Sequence, residues 1–227
     1  MRKILIAALS IMMMLFFTAC GPENNSANTE GNAEPKTETK TEQAATDENK
    51  ADKKSEKILV AFFSRAGDNY EVGVIEKGNT AIVAEMIAER TGADIFEIKP
   101  VKEYPAGYRE CTEVAKQEQA DNARPEMAAK VTNLKDYDTI FVGYPIWWSD
   151  FPMIINTFFE QHDFNGKTII PFCTSAGDYM TGKESQIPEI AKGSTVLEGL
   201  GLKGKECQDN PASVQEKVNA WLTGLGH

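Results

Sequence analysis

Thr139-Ile140-Phe141-Val142-Gly143-Tyr144-Pro145-Ile146-Trp147-Trp148-Ser149-Asp150-Phe151-Pro152 is the stretch on which the reading of this chain turns. Thr139 to Gly143 is a short apolar run, as expected of a strand buried on both faces. A loop holding two tryptophans between two prolines follows, and then an apolar helix from about Pro152 to Glu160. Strand, loop, helix is the repeating unit of an α/β protein, so the same unit is sought on either side. Upstream, Ile58 to Phe63 is a second buried strand. Thr80 to Glu89 places Ala81, Ile82, Val83, Met86 and Ile87 at helical spacing, ended by Gly92. Asp94 to Lys99 alternates as a strand, and Tyr108 to Ala123 is rich in helix formers. Downstream, Thr168 to Cys173 is a strand, Ser185 to Lys192 a helix, Thr195 to Leu200 a weak strand and Ser213 to Leu222 an amphipathic helix. Five such alternations imply a doubly wound parallel sheet in a single domain, linked by right-handed crossovers. A ligand then sits at the carboxyl ends of the strands, in the loops after the first, third and fourth.

Composition bounds the chemistry. The 227 residues carry a net charge of −10, from 24 basic and 34 acidic side chains. That excess disfavours binding to nucleic-acid phosphates. Cys20, Cys111, Cys173 and Cys207 are too few and scattered for a disulfide scaffold or a zinc site, and two histidines leave no multi-histidine metal centre. Cys111 and Cys207 are candidates for pairing in an oxidising compartment, whereas Cys173 in an apolar strand reads as a buried thiol. His162 reads as a helix C-terminal cap or surface residue, and no catalytic acid or base is evident. Asp150 and Asp178 fall in the ligand loops, where solvated carboxylates are common.

The first 57 residues are of another kind. Arg2 and Lys3 precede an apolar run from Ile4 to Phe17, and Phe17-Thr18-Ala19-Cys20 closes it, so residues 1–20 read as a secretory signal, too short to span a membrane. The ending resembles the lipobox of bacterial lipoproteins, which implies lipidation at Cys20. Residues 21–57 contain no Val, Ile, Leu, Met, Phe, Tyr or Trp and read as a disordered polar tether with a reach of roughly 35 Å. The segments contribute +2 and −3, which leaves −9 for residues 58–227.

Each ligand loop has a plain structural reading and a binding one. Ser64-Arg65-Ala66-Gly67 with Gly78-Asn79-Thr80 is a strand-to-helix turn whose N–H groups could take a phosphate; Asn79 or Thr80 could equally be an N-cap. Trp147 and Trp148 cannot both enter the core, so an aromatic face is offered either to a flat ligand or to the following helix. Thr174-Ser175-Ala176-Gly177 allows close backbone approach to a planar ligand, or is an ordinary turn.

Those three loops resemble the flavodoxins, in particular flavodoxin-like proteins of bacterial secreted or lipoprotein type, over nearly all of residues 57 to 222. The motifs are Phe62-Phe63-Ser64-Arg65 with Gly78-Asn79-Thr80, Gly143 to Trp148, and Thr174 to Gly177. The resemblance implies a five-stranded parallel sheet of order 2-1-3-4-5 and non-covalently bound flavin mononucleotide (FMN). It assigns the phosphate to Ser64, Arg65, Asn79 and Thr80, beside Ala66. Pro145, Ile146, Trp147 and Trp148 would flank the isoalloxazine ring, with Thr174, Ser175, Ala176 and Gly177 along its pyrimidine side. The chain departs from the pattern in the ten residues from Asp68 to Lys77 that separate the two halves of the phosphate loop, of which Asp68, Asn69 and Tyr70 are expected to form a flap over the flavin, and in lacking a glycine after Trp148. The function implied is electron transfer, exchanging with a redox partner protein or small acceptor, on the outer face of a bacterial membrane; the domain's net charge of −9 disfavours the anionic reduced flavin and so leads to an expected low potential. The rivals are an NAD(P)H-dependent quinone or flavin reductase and a non-catalytic flavin-binding interaction module.

Overall fold

A computed structural model describes residues 56–177 and 179–227. The signal, Cys20, nearly all of the tether, and Asp178 lie outside the described residues.

Ile58 to Phe62 forms β1, whose side chains alternate between two apolar layers: Leu59 and Ala61 face one, Val60 and Phe62 the other. The segment after it forms two short strands, β2 (Gly67–Asn69) and β3 (Gly73–Ile75), paired antiparallel. Helix α1 (Asn79–Thr91) follows and ends, as its glycine implies, with Gly92 left-handed at φ 69° and its N–H on the Ala88 carbonyl. Next come β4 (Asp94–Glu97), α2 (Tyr108–Ala120), β5 (Thr139–Pro145) and α3 (Met153–Glu160). Then follow β6 (Thr168–Ser175), α4 (Ile187–Ile190), β7 (Thr195–Val196), β8 (Leu200–Lys203), α5 (Gly204–Asp209) and α6 (Pro211–Leu225).

The main sheet is parallel and runs β4-β1-β5-β6-β7, with β8 also paired to β6. This is the expected order 2-1-3-4-5, with the fifth position shared by two segments. The strand read over Thr195 to Leu200 breaks at Leu197–Gly199, where a Cβ on Gly199 would lie 2.7 Å from the Pro171 carbonyl oxygen. The helix read over Ser185 to Lys192 is likewise two pieces, a 3-10 turn at Lys183–Gln186 and the four residues of α4. Among the described residues no helix is long and apolar enough to cross a membrane.

Two apolar layers hold the sheet. Val83, Ala84 and Ile87 of α1 and Val214, Val218 and Leu222 of α6 pack on one face; Ile154, Ile155, Phe158 and Phe159 of α3 and Ile187 of α4 pack on the other. Gly143 lets the Phe172 ring pack directly on the backbone of β5, because a Cβ there would meet the ring at 2.1 Å. Lys57 begins the fold: its N–H donates to Asp138 at 3.1 Å and its ammonium stands 4.5 Å from the centre of the Tyr137 ring. Cys111, Cys173 and Cys207 are buried free thiols, so the pairing considered for Cys111 and Cys207 is not present. Cys111 sits on α2, whereas Cys207 sits on α5 in the layer of α1 and α6.

Candidate functional site

The carboxyl ends of β1, β5 and β6 lie side by side in the sheet, so the loops that follow them meet. A cavity of about 300 Å³ opens there, at the small end of the range for ligand pockets. Arg65, Asn79, Pro145, Ile146, Trp147, Trp148, Thr174, Ser175 and Ala176 all line it. Four of the residues singled out from sequence do not. Ser64 and Ala66 face a neighbouring cleft, Gly177 folds the third loop, and Thr80 is buried beneath the floor.

The first loop is fastened to α1 from a distance. Asn79 and Thr80 do not cap their own helix; the Ser64 hydroxyl accepts the Ala81 N–H at 3.1 Å. Gly78 makes this possible, since a Cβ there would fall 2.2 Å from Ser64 Oγ and 2.6 Å from the Arg65 carbonyl oxygen. The turn therefore wraps the N-terminus of α1, where the helix dipole and unpaired N–H groups favour an anion. Thr80 holds the first and third loops together through its hydroxyl, 2.8 Å from that of Thr174. The Asn79 side-chain oxygen accepts from Gln208 at 2.8 Å.

Arg65, which the resemblance placed among the phosphate residues, has its side chain committed to backbone carbonyls. Its guanidinium donates to the carbonyls of Asp68 at 2.6 Å, Pro105 at 2.7 and 3.2 Å, and Ala106. The Asp68 N–H returns a bond to the Ala106 carbonyl at 3.0 Å. The fork thus pins the β2–β3 hairpin to the turn before α2, and only the backbone of Arg65 remains for a phosphate.

The two tryptophans divide the alternatives between them. Trp147 packs edge-on against Phe63 and Tyr104, with ring centres 5.4 and 4.9 Å away, and anchors the loop in the core. Trp148 is 51% exposed and offers its face at the cavity. Its indole N–H donates to the Thr112 carbonyl at 3.0 Å, and the Lys116 ammonium lies 5.4 Å from the ring. Trp148 and Ser149 occupy the middle of a tight turn closed by the Trp147 N–H on Asp150 O and the Asp150 N–H on Trp147 O. Both are left-handed, at φ 52° and 61°, a conformation costing about 1–2 kcal/mol for a residue with a side chain. Asp150 is not free: it accepts from the Phe151 N–H at 2.8 Å and lies 3.3 Å from Lys183.

The third loop is an Ser-centred turn, with Ser175 Oγ accepting the Gly177 N–H and donating to the Gly177 carbonyl. The Ile146 N–H reaches across to the Thr174 carbonyl at 2.9 Å and joins it to the second loop.

Asn69 and Tyr70, expected in a flap over the flavin, line the cavity together with Val72. Sequence reading missed Tyr108, Cys111, Thr112 and Ala115 of α2, and Ser149 and Tyr179, which also line it. The exposed rings of Tyr70 and Tyr108 stack at 5.8 Å and 29°. Burial raises the Cys111 thiol above its usual range, against the pull of Arg65, so it stays protonated at neutral pH. Burial likewise raises the Tyr108 phenol, with Tyr70 adding to the shift. The Val72-Gly73-Val74-Ile75 run was the available signal for the hairpin.

Comparison with known proteins follows the same lines. The family profile described as flavodoxin matches residues 57–222. A candidate flavoprotein from Bacteroides uniformis ATCC 8492 is 34% identical, with 74% of this chain and 98% of that one covered and a TM-score of 0.60. One from Bacteroides eggerthii DSM 20697 is 30% identical, with 75% and 98% covered and a TM-score of 0.60. A flavoprotein from Lactobacillus acidophilus NCFM, crystallised in complex with FMN, is 22% identical over 68% of this chain and 97% of that one, at a TM-score of 0.52, and shares the fold. None of the curated proteins compared matches the chain.

Proposed function

This chain belongs to the flavodoxin family, and from that premise we propose that it binds FMN in the cavity at the ends of β1, β5 and β6 and transfers electrons. One observation carries the reading: three loops far apart in sequence, around residues 65, 146 and 175, line one cavity. Their chemistry fits the group. The backbone of Arg65 and the N-terminus of α1 at Asn79 line the cavity, where N–H groups and the helix dipole suit a phosphate. Trp148 presents an aromatic face for the ring, and Thr174, Ser175 and Ala176 supply polar and backbone groups along another edge.

Bound flavin supplies one- and two-electron redox chemistry that no side chain here provides. The protein binds, orients and shields. Trp147 fixes the second loop through Phe63 and Tyr104, and the Thr80–Thr174 bond holds the phosphate loop and the third loop in one frame. The pinned hairpin walls one side of the cavity through Asn69, Tyr70 and Val72. The lipobox-like Cys20 and the polar segment behind it support a place on the outer face of a bacterial membrane, held by lipid alone. The purified protein is expected to be yellow, or to become so when mixed with FMN and desalted. A preparation that stays colourless after that treatment refutes flavin binding.

A further inference from the structure

Gln208 does not line the cavity, yet it fixes the side chain that α1 presents there. Among the described residues of α1, Asn79 alone reaches the cavity wall. Gln208 lies half-buried on α5, and its Nε2 donates to two oxygens at once, the Lys77 carbonyl at 2.9 Å and Asn79 Oδ1 at 2.8 Å. A backbone carbonyl can only accept, so the bond to Lys77 sets the nitrogen end of Gln208 toward α1. The Asn79 atom that meets this nitrogen must then be its oxygen. Asn79 is thereby held in one of its two amide orientations, with Nδ2 turned away from Gln208.

Nδ2 is turned toward the start of α5 and the third loop. A Cβ on Gly204 would fall 2.5 Å from Nδ2 and 3.4 Å from the Ser175 carbonyl oxygen, so a residue without a side chain leaves the amide its place. None of the described residues accepts a hydrogen bond from Nδ2. The two orientations act on an anion with opposite sign: Nδ2 donates to it, whereas Oδ1 repels it. Whatever sets the orientation therefore sets part of the affinity.

We infer that Gln208 is a positioning residue for the flavin phosphate, keeping Asn79 Nδ2 available as a donor by holding Oδ1. The inference rests on the flavin reading, in which Asn79 belongs to the phosphate site. It differs from a mere fastening of α5 to the turn before α1, which would support every part of the flavin alike.

The test titrates flavin-free protein with FMN and, separately, with riboflavin, which carries the same ring and ribityl chain but no phosphate; flavin fluorescence follows both. Gln208→Met keeps the length of the side chain and removes the donor. It weakens FMN about fivefold and leaves riboflavin within about twofold. Asn79→Ala weakens FMN about tenfold, and adding Gln208→Met to it weakens FMN no further, because the two residues act as one unit. Equal weakening of FMN and riboflavin by Gln208→Met makes Gln208 a fastener only and overturns the inference. Unchanged FMN affinity, or a full effect of Gln208→Met in the Asn79→Ala background, overturns it as well, and all three results leave the flavin reading standing. Failure of wild type to take up FMN overturns both.

Discussion

Gly78 has an ordinary backbone, at φ −66° and ψ 150°, so its value lies in what a side chain would displace. The atoms a Cβ would strike are the hydroxyl that caps α1 and the carbonyl of the phosphate turn. Gly78→Ala should push that turn off the helix, costing about 1–3 kcal/mol by the usual scale of overpacking. FMN affinity should fall about tenfold or more while the far-ultraviolet circular dichroism stays that of wild type. Unchanged affinity would mean that the turn does not hold the phosphate. Ser64 was legible from its type and place as part of the turn after β1. Its capping of Ala81 was not, because the bond spans 17 residues and needs the sheet to bring them together. For the same reason Arg65 reads from sequence as a phosphate ligand, although its fork is satisfied by carbonyls 40 and 41 residues away.

At the scale of elements, the β2–β3 hairpin is held mostly by that fork. Arg65→Ala removes bonds from a charged donor, whose net loss is about 2–3 kcal/mol of local closure. Amide exchange over Gly67–Ile75 should accelerate about 30- to 150-fold, with exchange in β5 and β6 unaffected. Loss of FMN binding with unchanged hairpin exchange would instead place the guanidinium on the phosphate. His162 ties the last turn of α3 to the segment between α2 and β5: its Nδ1–H donates to the Phe158 carbonyl at 2.8 Å and its Nε2 accepts the Val131 N–H at 3.1 Å. Burial holds its pKa below the usual histidine value, against the pull of the Phe158 carbonyl. The unfolded chain therefore takes up a proton more readily than the folded one. This contribution is complete above about pH 6.5 and is lost as pH falls from there through the lowered folded value. His162→Gln should flatten urea stability between pH 7 and pH 5; an identical slope in both proteins contradicts it. Glu160 acts lower, because its hydrogen bond to Arg124 depresses its carboxyl and its contribution fades only below the usual glutamate range. The long strands and helices were legible because β1, β5, β6, α1 and α3 carry complete apolar patterns. The hairpin strands of three residues, and a fifth strand interrupted at Glu198-Gly199, are too short to show a period.

At the scale of the molecule, residues 58–227 carry a net charge of −9, and among the described residues that line the cavity Arg65 is the one cation, already committed to carbonyls. Salt screens distant charges over about 8 Å, so in the proposed site local N–H groups rather than the overall field would hold the phosphate. The same acidic surround disfavours an additional negative charge on reduced flavin. The midpoint potential of the bound flavin should therefore lie below that of free FMN, and a value at or above it, titrated against a reference dye, contradicts low-potential electron transfer. Everything at the smaller scales serves the meeting of three loops on one cavity, so the direct measurement is a titration of flavin-free protein into FMN, followed by the quenching of flavin fluorescence. The account predicts a saturating curve with one FMN per chain, and a weaker one for Gly78→Ala. Fluorescence that stays at the level of free FMN across the titration would contradict it.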